Sequence, residues 1–281
     1  MSEAPSPIVE VRNVSFRYGR NGPPVLEHLD VEVPRGQVVA LAGRNGSGKS
    51  TLARLLNGLL RPTTGSVVVG GLDTSRNPPR RMAAHAGYAF QNPNHQLFAS
   101  TVAAELAFGP RNLGVAEAEI AERVADAAAR LGLEGVLDRH PYHLERGARK
   151  LVAIAAVVTM RTPVLILDEP TTGQDRRTSA MVRALIDDLG AGGTTIVCIS
   201  HDMRLVADAA DRLLVLDGGR IVADGTPRAV FGDLSAIARA GLAPPQITRL
   251  ALRLPKRAEP WPALTVDELA GAVRHGAADA S

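Results

Sequence analysis

Apolar residues recur along the chain in short runs that predict strands alternating with helices. Alternation of apolar and polar residues over 8–18 predicts an edge strand. Further strands are predicted in "HLDVEVPRGQ", "VVALAG", "GSVVVGG", "HAGYAFQ", "PVLILDEP", "TTIVCIS" and "RLLVLDGGRIVADG". Helical spacing appears in "KSTLARLLNGLL", which Pro62 stops, and in "RTSAMVRALIDDLG". Strand–helix–strand alternation of this kind predicts a parallel sheet with helices on both faces.

Two segments depart from this alternation. Residues 92–156 have mainly helical signals and predict a helical insertion, in which "LVAIAAVV" is typical of a buried helix or a buried strand. Residues 236–281 are interrupted by prolines and predict a small C-terminal appendage. The sequence therefore indicates one main domain over 1–235 and an appendage after it.

Composition narrows the class of protein. The chain has 281 residues, 45% of them hydrophobic, and none of its apolar runs reaches the roughly 18 residues that span a bilayer. The start, "MSEAPSPIVE", lacks the regions of a signal peptide, and the single Cys198 in a predicted strand fits a reducing cytosol. A net charge of +3 and 3% aromatic residues argue against a nucleic-acid partner. Lysine is scarce, with only Lys49, Lys150 and Lys256.

The segment "GRNGSGKST" (43–51) follows a predicted strand and opens a predicted helix. Backbone N–H groups of such a loop surround a β-phosphate, and the helix N-terminus favours the anion. Lys49 would reach the β- and γ-phosphates, and Ser50 would offer a hydroxyl to Mg²⁺. The alternative, a chance glycine-rich turn, does not explain the strand–loop–helix context. The expected nucleotide-binding residues of the loop are Gly43, Asn45, Gly46, Ser47, Gly48, Lys49, Ser50 and Thr51.

Acidic residues end the apolar strand "VLILDEP" at 164–170. Ligand chemistry in a parallel sheet lies at the carboxyl ends of its strands, so Asp168 would hold Mg²⁺ and Glu169 would polarise the attacking water. An acidic strand cap is the alternative, although two carboxylates beside a phosphate loop are costly without a metal. His201 ends the strand "CIS" in the same way and could contact the γ-phosphate, whereas the other six histidines are expected to be ordinary surface or hydrogen-bonded residues.

Five motifs, "GRNGSGKST", "FQNP", "LERGARKLVAIA", "LILDEPTTGQD" and "ISHD", together resemble the ATP-binding subunit of ABC transporters over about residues 8–235. The resemblance implies a P-loop α/β fold with a parallel-sheet core, an N-terminal antiparallel β subdomain and the helical insertion. It also implies two ATPase subunits closing head to tail around ATP and Mg²⁺. Tyr18 would stack on adenine, Gln91 would sense the γ-phosphate and Mg²⁺, and residues 173–175 would cross to the partner.

Within that family, "FQNPNHQLFASTVAAELAFGPRNLG", "TTGQD" and the C-terminal tail look like the ATPases of energy-coupling-factor importers and their cobalt- and nickel-uptake relatives. The resemblance implies uptake of a vitamin or transition-metal ion, a transmembrane scaffold subunit, a substrate-capture subunit and a place at the cytoplasmic face of the membrane. The appendage would help pair the ATPases. Around "NPNHQ", a plain helical surface or a groove for the scaffold's coupling helix would account for the apolar residues Leu97, Phe98, Val102, Leu106 and Phe108.

The segment Leu144–Ala148 stands where the family has its L-S-G-G-Q signature, but only Leu144 and Gly147 match. The Glu145 carboxylate would repel a phosphate charge about 4 Å away by about 4 kcal/mol at an effective dielectric constant near 20. Glu145 must therefore turn away, or Arg146, Arg149 or Lys150 must screen it. A damaged signature beside a complete hydrolytic set favours a heterodimer with one weak site, although a homodimer is possible. A soluble ABC ATPase working on nucleic acid or ribosomes is a further alternative.

Overall fold

The computed structural model describes residues 7–254 and 261–278. The first six residues of the chain, on which part of the signal-peptide expectation rests, lie outside the described residues. Residues 255–260, which include Lys256, and residues 279–281 of the predicted appendage also lie outside them.

Strands and helices alternate through most of the described chain. The strands are β1 Val9–Arg17, β2 Pro24–Val33, β3 Val38–Ala42, β4 Thr64–Val69, β5 Leu72–Asp73, β6 Ala86–Ala89, β7 Val164–Asp168, β8 Thr195–Ile199, β9 Arg212–Asp217 and β10 Arg220–Gly225. The helices are α1 Lys49–Leu56, α2 Pro79–Met82, α3 Val102–Asn112, α4 Glu117–Leu131, α5 Arg146–Val158, α6 Arg176–Ala191, α7 Met203–Ala209, α8 Pro227–Gly232, α9 Leu234–Arg239, α10 Gln246–Ala251 and α11 Val266–Ala278.

The N-terminal strands form an antiparallel sheet in the order β2-β1-β4-β5. Strand β1 pairs on one side with β2, where Val9 lies opposite Val33, and on the other with β4, where Val9 lies opposite Val69. The prediction that β1 is an edge strand is therefore wrong. Alternating polarity reports which face of a strand is buried, and it carries no information about how many neighbours the strand has.

The second sheet has the order β10-β9-β3-β8-β7-β6, and all its strands are parallel except β10. Strands β3, β7 and β8 are buried at every residue, because helices or the first sheet cover both faces. The predicted parallel sheet is confirmed. Its parallel strands place the residues that follow β3, β6, β7 and β8 at one edge.

Helix α1 packs between the two sheets, so the predicted helix after the glycine-rich loop lies in the middle of the domain. Val39 and Leu41 of β3 face the core that α1 shares with the N-terminal sheet. Ala40 and Ala42 face the opposite way, into a core built with residues of α7, α8 and α9. The small side chains of Ala40 and Ala42 let these helices pack closely against β3. This packing holds in place the strand that leads into the phosphate loop.

Helices α3, α4 and α5 make up the predicted insertion and pack on one another. The run "LVAIAAVV", for which the pattern allowed a helix or a strand, lies within α5 and is buried throughout. Its residues share a core with β7 and β8, including Leu167 and Cys198. The insertion is therefore tied directly to the strand that ends in Asp168.

The C-terminal helices form a small cluster of their own around Ala251, Ala263 and Leu269. Arg228 of α8 attaches α11 by donating hydrogen bonds to both carboxylate oxygens of Glu268, at 2.8 and 3.1 Å. The division at residue 235 and a role in dimerisation remain predictions.

Candidate active site

The glycine-rich loop between β3 and α1 needs glycine for steric reasons. Gly43 has φ 150°, and a Cβ there would come within 2.1 Å of the Leu216 carbonyl oxygen. Gly48 has φ 104°, and its Cβ would come within 2.5 Å of Leu26 Cδ2. Gly46, with φ 82°, also adopts a conformation that side chains disfavour. The sequence thus fixes a loop whose backbone approaches its surroundings more closely than other residues permit.

Lys49 is the first residue of α1 and is buried. Its Nζ donates hydrogen bonds to the carbonyl oxygens of Gly43 and Arg44, each at 2.8 Å. Burial lowers the pKa of Lys49, while the negative charges of Glu169 and Asp168 oppose that shift. The ammonium group is therefore held inside the loop that the sequence predicts to bind phosphates.

Asp168 ends β7 and is buried. The Tyr88 hydroxyl donates a 2.7 Å hydrogen bond to its Oδ2. Its Oδ1 is buried and lacks a hydrogen-bond partner among the described residues. A buried carboxylate oxygen left without a donor needs an explanation, and a cation is the partner that suits its charge. Burial and the neighbouring Asp168 carboxylate raise the pKa of Tyr88, so its hydroxyl remains a donor.

Glu169 follows with φ 52°, a left-handed conformation that is unusual for a glutamate. Its backbone N–H donates to the Ile199 carbonyl at 2.9 Å, which fixes the turn after β7. Its carboxylate Oε2 accepts a 2.9 Å hydrogen bond from Thr172 Oγ1 and lies 2.7 Å from His201 Nδ1. The Glu169 side chain is only 9% exposed, whereas that of His201 is 62% exposed.

These elements surround one cavity of about 360 Å³. Most of the residues predicted to bind nucleotide or metal line it, namely Tyr18, Asn45, Gly46, Gly48, Lys49, Ser50, Thr51, Gln91, Asp168 and Glu169. Of the other predicted residues, Gly43 and Ser47 belong to the loop but do not line the cavity, and His201 contacts the Glu169 carboxylate outside the lining. We call this space the nucleotide cavity.

Tyr18 stands at the nucleotide cavity with its side chain half in solvent. It is 50% exposed, and its ring packs edge-on against Phe16 with 4.9 Å between ring centroids. Its hydroxyl lies 3.2 Å from Thr51 Oγ1. An exposed ring held at both ends in this way offers a preformed face for a planar base.

Two residues at the site have roles that the sequence does not predict. The sequence pattern predicts only a strand at Tyr88 and only a charge that could screen Glu145 at Lys150. In the structure, Lys150 Nζ turns inward and donates to the carbonyl oxygens of Phe90, Gln91 and Asp168, at 3.0, 2.7 and 3.0 Å. Burial lowers the pKa of Lys150 to about 8, against the charges of Asp168 and Glu169. The scarcity of lysine was the one available signal.

The signature segment caps α5. Glu145 is exposed at the helix N-cap and makes no capping hydrogen bond there. Arg149 donates to the Asn94 side chain at 3.0 Å, and Lys150 faces inward, so in the described part of the chain neither forms an ion pair with Glu145. Gln174 Nε2 donates to the Gly147 carbonyl at 3.2 Å, which joins the signature segment to residues 173–175.

A second, mainly apolar cavity of about 400 Å³ lies between the insertion and the main sheet. We call it the aromatic groove. Phe98 and Phe108 at its rim are 61% and 47% exposed and pack edge-on, with ring centroids 4.6 Å apart. Buried Glu105 accepts hydrogen bonds from the backbone N–H groups of Phe98 and Ala99, which holds that rim in place. Its lining includes Leu59, Tyr88, Phe90, Phe98, Phe108 and Met160.

A glycine-rich loop opposite an acidic strand end, on a parallel sheet with helices on both faces, defines a P-loop nucleoside triphosphatase. Comparison with known proteins narrows the class. The sequence profile of the ABC transporter family matches residues 26–172. The chain belongs to this family, as an ATP-binding subunit that hydrolyses ATP.

Relatives agree over most of the chain. The energy-coupling factor transporter ATP-binding protein EcfA of Methanothermobacter thermautotrophicus is 40% identical over 88% of this chain and 80% of its own length. EcfA of Methanocaldococcus jannaschii is 40% identical over 89% of this chain and 90% of its own. The solved structure of cbiO1 from Clostridium perfringens, part of the ABC transporter complex cbiONQ, has a TM-score of 0.73 at 33% identity. The match covers 87% of this chain and 97% of the cbiO1 chain.

These findings confirm the predicted family, fold class and ATPase activity. In the described part of the chain, no helix combines the length and apolarity needed to cross a membrane.

Proposed function

We propose that this chain is an ATPase subunit of an energy-coupling-factor type importer, which takes up a vitamin or a transition-metal ion. The observation that carries the proposal is 40% identity to named EcfA proteins over nearly nine-tenths of the chain. The chain would work at the cytoplasmic face of the membrane with a transmembrane scaffold subunit and a substrate-capture subunit. The relationship to cbiO1, part of a transporter complex, supports such an assembly.

Co-expression with the membrane proteins encoded beside it tests this proposal. We expect a complex that contains a transmembrane scaffold and that imports labelled vitamin, Co²⁺ or Ni²⁺ only when this chain is present. Purification of the chain with ribosomes or nucleic acid, and without a membrane protein, would instead support the soluble ABC ATPase.

The nucleotide cavity suggests how ATP is held. The exposed Tyr18 ring would stack on adenine, and the N–H groups of residues 43–48 would surround the phosphates. Lys49 would exchange its two carbonyl partners for β- and γ-phosphate oxygens. Because the lysine already lies inside the loop, this exchange needs only a short movement of Nζ.

The donor set at the cavity also fits Mg²⁺. The free Oδ1 of Asp168 is a buried anionic oxygen, and the Ser50 hydroxyl and the Gln91 side chain line the same cavity. These three residues would hold the ion, directly or through water, and the ion would neutralise charge on the phosphates when bound.

Glu169 is placed to orient and deprotonate the attacking water. Its carboxylate is nearly buried and is fixed by Thr172, so little reorganisation is needed as the reaction proceeds. Here His201 contacts Glu169, so a contact between His201 and the γ-phosphate would require the imidazole to turn towards the ATP.

We further propose that the chain pairs with a different ATPase subunit. In a head-to-tail dimer, its Lys49, Asp168 and Glu169 would face the partner's signature, and its own Glu145 and Arg146 would face the partner's ATP. The exposure of Glu145, with Lys150 bonded inward to backbone carbonyls, supports one weak and one competent composite site. In a homodimer both sites would carry the weak signature.

This asymmetry gives a measurable prediction. The lone chain should hydrolyse ATP slowly, and pairing with the correct partner should raise the rate by about tenfold or more, because the partner supplies intact phosphate donors. Changing both Glu145→Ser and Arg146→Gly should raise the rate of the lone chain. Phosphate release under saturating ATP measures all three states.

One result would contradict that prediction, and one control variant accompanies the test. A lone chain that hydrolyses ATP rapidly, at a rate that Glu145→Ser does not change, would contradict the heterodimer. The matched control is Glu134→Ser, which changes an exposed glutamate outside the signature segment and should leave the rate of the lone chain unaltered.

The aromatic groove is our proposed docking site for the scaffold subunit, whose amphipathic coupling helix would pack apolar side chains against the exposed Phe98 and Phe108 rings. The change Phe98→Asp should weaken co-purification with the scaffold by about tenfold or more, because it places a charge in an apolar contact. ATP binding by the isolated chain should not change. Quantitative pull-down of the scaffold provides the measurement.

The change Val222→Asp is the control for Phe98→Asp, since Val222 is an exposed apolar residue on β10, away from the groove. Equal loss of scaffold from both variants, or from neither, would argue against docking at the aromatic groove.

A further inference from the structure

Tyr88 connects two parts of the molecule that the proposed function treats separately. It lies in the middle of β6, three residues before Gln91, and is almost completely buried. Its ring packs against Phe90, with 4.6 Å between centroids, and lines the aromatic groove. Its hydroxyl reaches the neighbouring strand β7 and donates to Asp168 Oδ2 at 2.7 Å. One side chain thus has an apolar surface at the groove and a polar end bonded to Asp168, which lines the nucleotide cavity.

The hydrogen bond divides the Asp168 carboxylate into two unequal oxygens. Oδ2 receives the hydroxyl proton, whereas Oδ1 is buried and has no hydrogen-bond partner among the described residues. Asp168 lines the nucleotide cavity, so Oδ1 is the oxygen that remains for a cation. A donor on one oxygen also restricts rotation of the carboxylate about its terminal bond, which keeps the two oxygens from exchanging places.

A purely structural role would not require this arrangement. The neighbours of Tyr88 along β6 are apolar or small, and an apolar residue at position 88 would pack in the same environment without burying a hydroxyl. A buried hydroxyl is costly unless it forms a hydrogen bond. The Tyr88 hydroxyl forms its bond with a carboxylate whose other oxygen has no partner among the described residues, which points to a role in orienting that carboxylate. Outer partners of metal-binding carboxylates orient them in this way, and losing such a partner weakens metal binding by about 10- to 100-fold.

We propose that Tyr88 is a positioning residue for the cation of the ATP complex, because its hydroxyl fixes the Asp168 carboxylate so that Oδ1 faces Mg²⁺. This inference rests on the proposed metal role of Asp168 and goes beyond it. It assigns a function to a residue that lies outside the lining of the nucleotide cavity, and it places the orienting group on the strand that leads directly to Gln91.

The change Tyr88→Phe tests the inference, because it removes only the hydroxyl and keeps the ring at the groove. Equilibrium dialysis with labelled ATP should show unchanged affinity in EDTA and at least about tenfold weaker affinity with Mg²⁺, since orientation of the carboxylate matters only when the cation is present. Electron paramagnetic resonance with Mn²⁺ and ATP should show a matching loss of bound Mn²⁺. Comparing the two conditions within one variant removes any general loss of stability.

The change Tyr142→Phe is the matched control. The Tyr142 hydroxyl donates to the carbonyl oxygens of Asn94 and Leu97 and does not contact Asp168, so its loss should leave Mg²⁺-dependent affinity unchanged. Equal weakening of the Tyr88→Phe variant with and without Mg²⁺, or no weakening in either condition, would overturn the inference.

A third variant separates the inference from the proposal beneath it. If Asp168→Asn abolishes the Mg²⁺ dependence and Tyr88→Phe leaves it intact, the inference about Tyr88 is wrong and the metal role of Asp168 stands. If Asp168→Asn also leaves the Mg²⁺ dependence intact, the metal role itself is wrong, and the inference about Tyr88 is overturned with it.

Discussion

Replacing Glu169 with Gln should lower ATP hydrolysis by the assembled transporter by about 10²- to 10⁴-fold and leave ATP binding near its original level. The amide has the shape of the carboxylate but cannot accept a proton from the attacking water. Since Glu169 is nearly buried and held by Thr172, the substitution should preserve the geometry of the turn after β7. ATP should then hold the two ATPase subunits together, because closure precedes hydrolysis.

Steady-state phosphate release measures the loss of turnover, and size-exclusion chromatography in ATP detects the persistent dimer. The control is Glu27→Gln, which neutralises a partly buried carboxylate on strand β2 that pairs with Arg220 of β10. That variant should turn over at the original rate. Unchanged hydrolysis by the Glu169→Gln complex would refute the role of Glu169 as the base.

The change Lys49→Met should reduce both ATP affinity and hydrolysis, with turnover falling by at least about 100-fold. The ammonium group lies within the phosphate loop, bonded to the Gly43 and Arg44 carbonyls, and would be the main positive charge on the β- and γ-phosphates. Methionine has similar length and no charge, so it tests the charge with little change in packing. Isothermal titration with ATP and Mg²⁺ gives the affinity.

The change Arg44→Met is the control for Lys49→Met, because it removes a positive charge from the same loop. Arg44 is exposed and its side chain packs against Gly241 of the C-terminal segment. It should alter turnover far less than Lys49→Met does. Comparable losses from the two variants would mean that the general charge of the loop matters and that the position of Lys49 does not.

The central strands were predictable because they consist almost entirely of apolar residues. Strands β3, β7 and β8 are buried at every residue, and only unbroken apolar runs are compatible with that burial. The convergence of Lys49, Asp168 and Glu169 followed from the same fact, since parallel strands bring the residues after them to one edge. The neighbours of β1 were not predictable, because pairing depends on strands elsewhere in the chain.

Contacts between residues far apart in the sequence limit how much of the site could be predicted. The hydrogen bond from Tyr88 to Asp168 joins positions 80 residues apart, and the bond from Lys150 to the Phe90 carbonyl joins positions 60 apart. Nothing local in the sequence around Tyr88 distinguishes it from other aromatic residues on buried strands. The contact of His201 with Glu169 was equally hidden, because the motif specifies the strand end and leaves the side-chain rotamer open.

The surroundings of Lys49 and Lys150 explain why these two positions keep lysine in a chain whose basic residues are mostly arginine. Lysine supplies only three of the 32 basic residues, yet two of these three are buried with Nζ bonded to backbone carbonyls. A compact ammonium can direct its hydrogens to oxygens in three directions, whereas the planar guanidinium directs its donors within one plane and needs more room. We therefore expect exchange of lysine for arginine, which conserves the charge, to be disfavoured at these two positions.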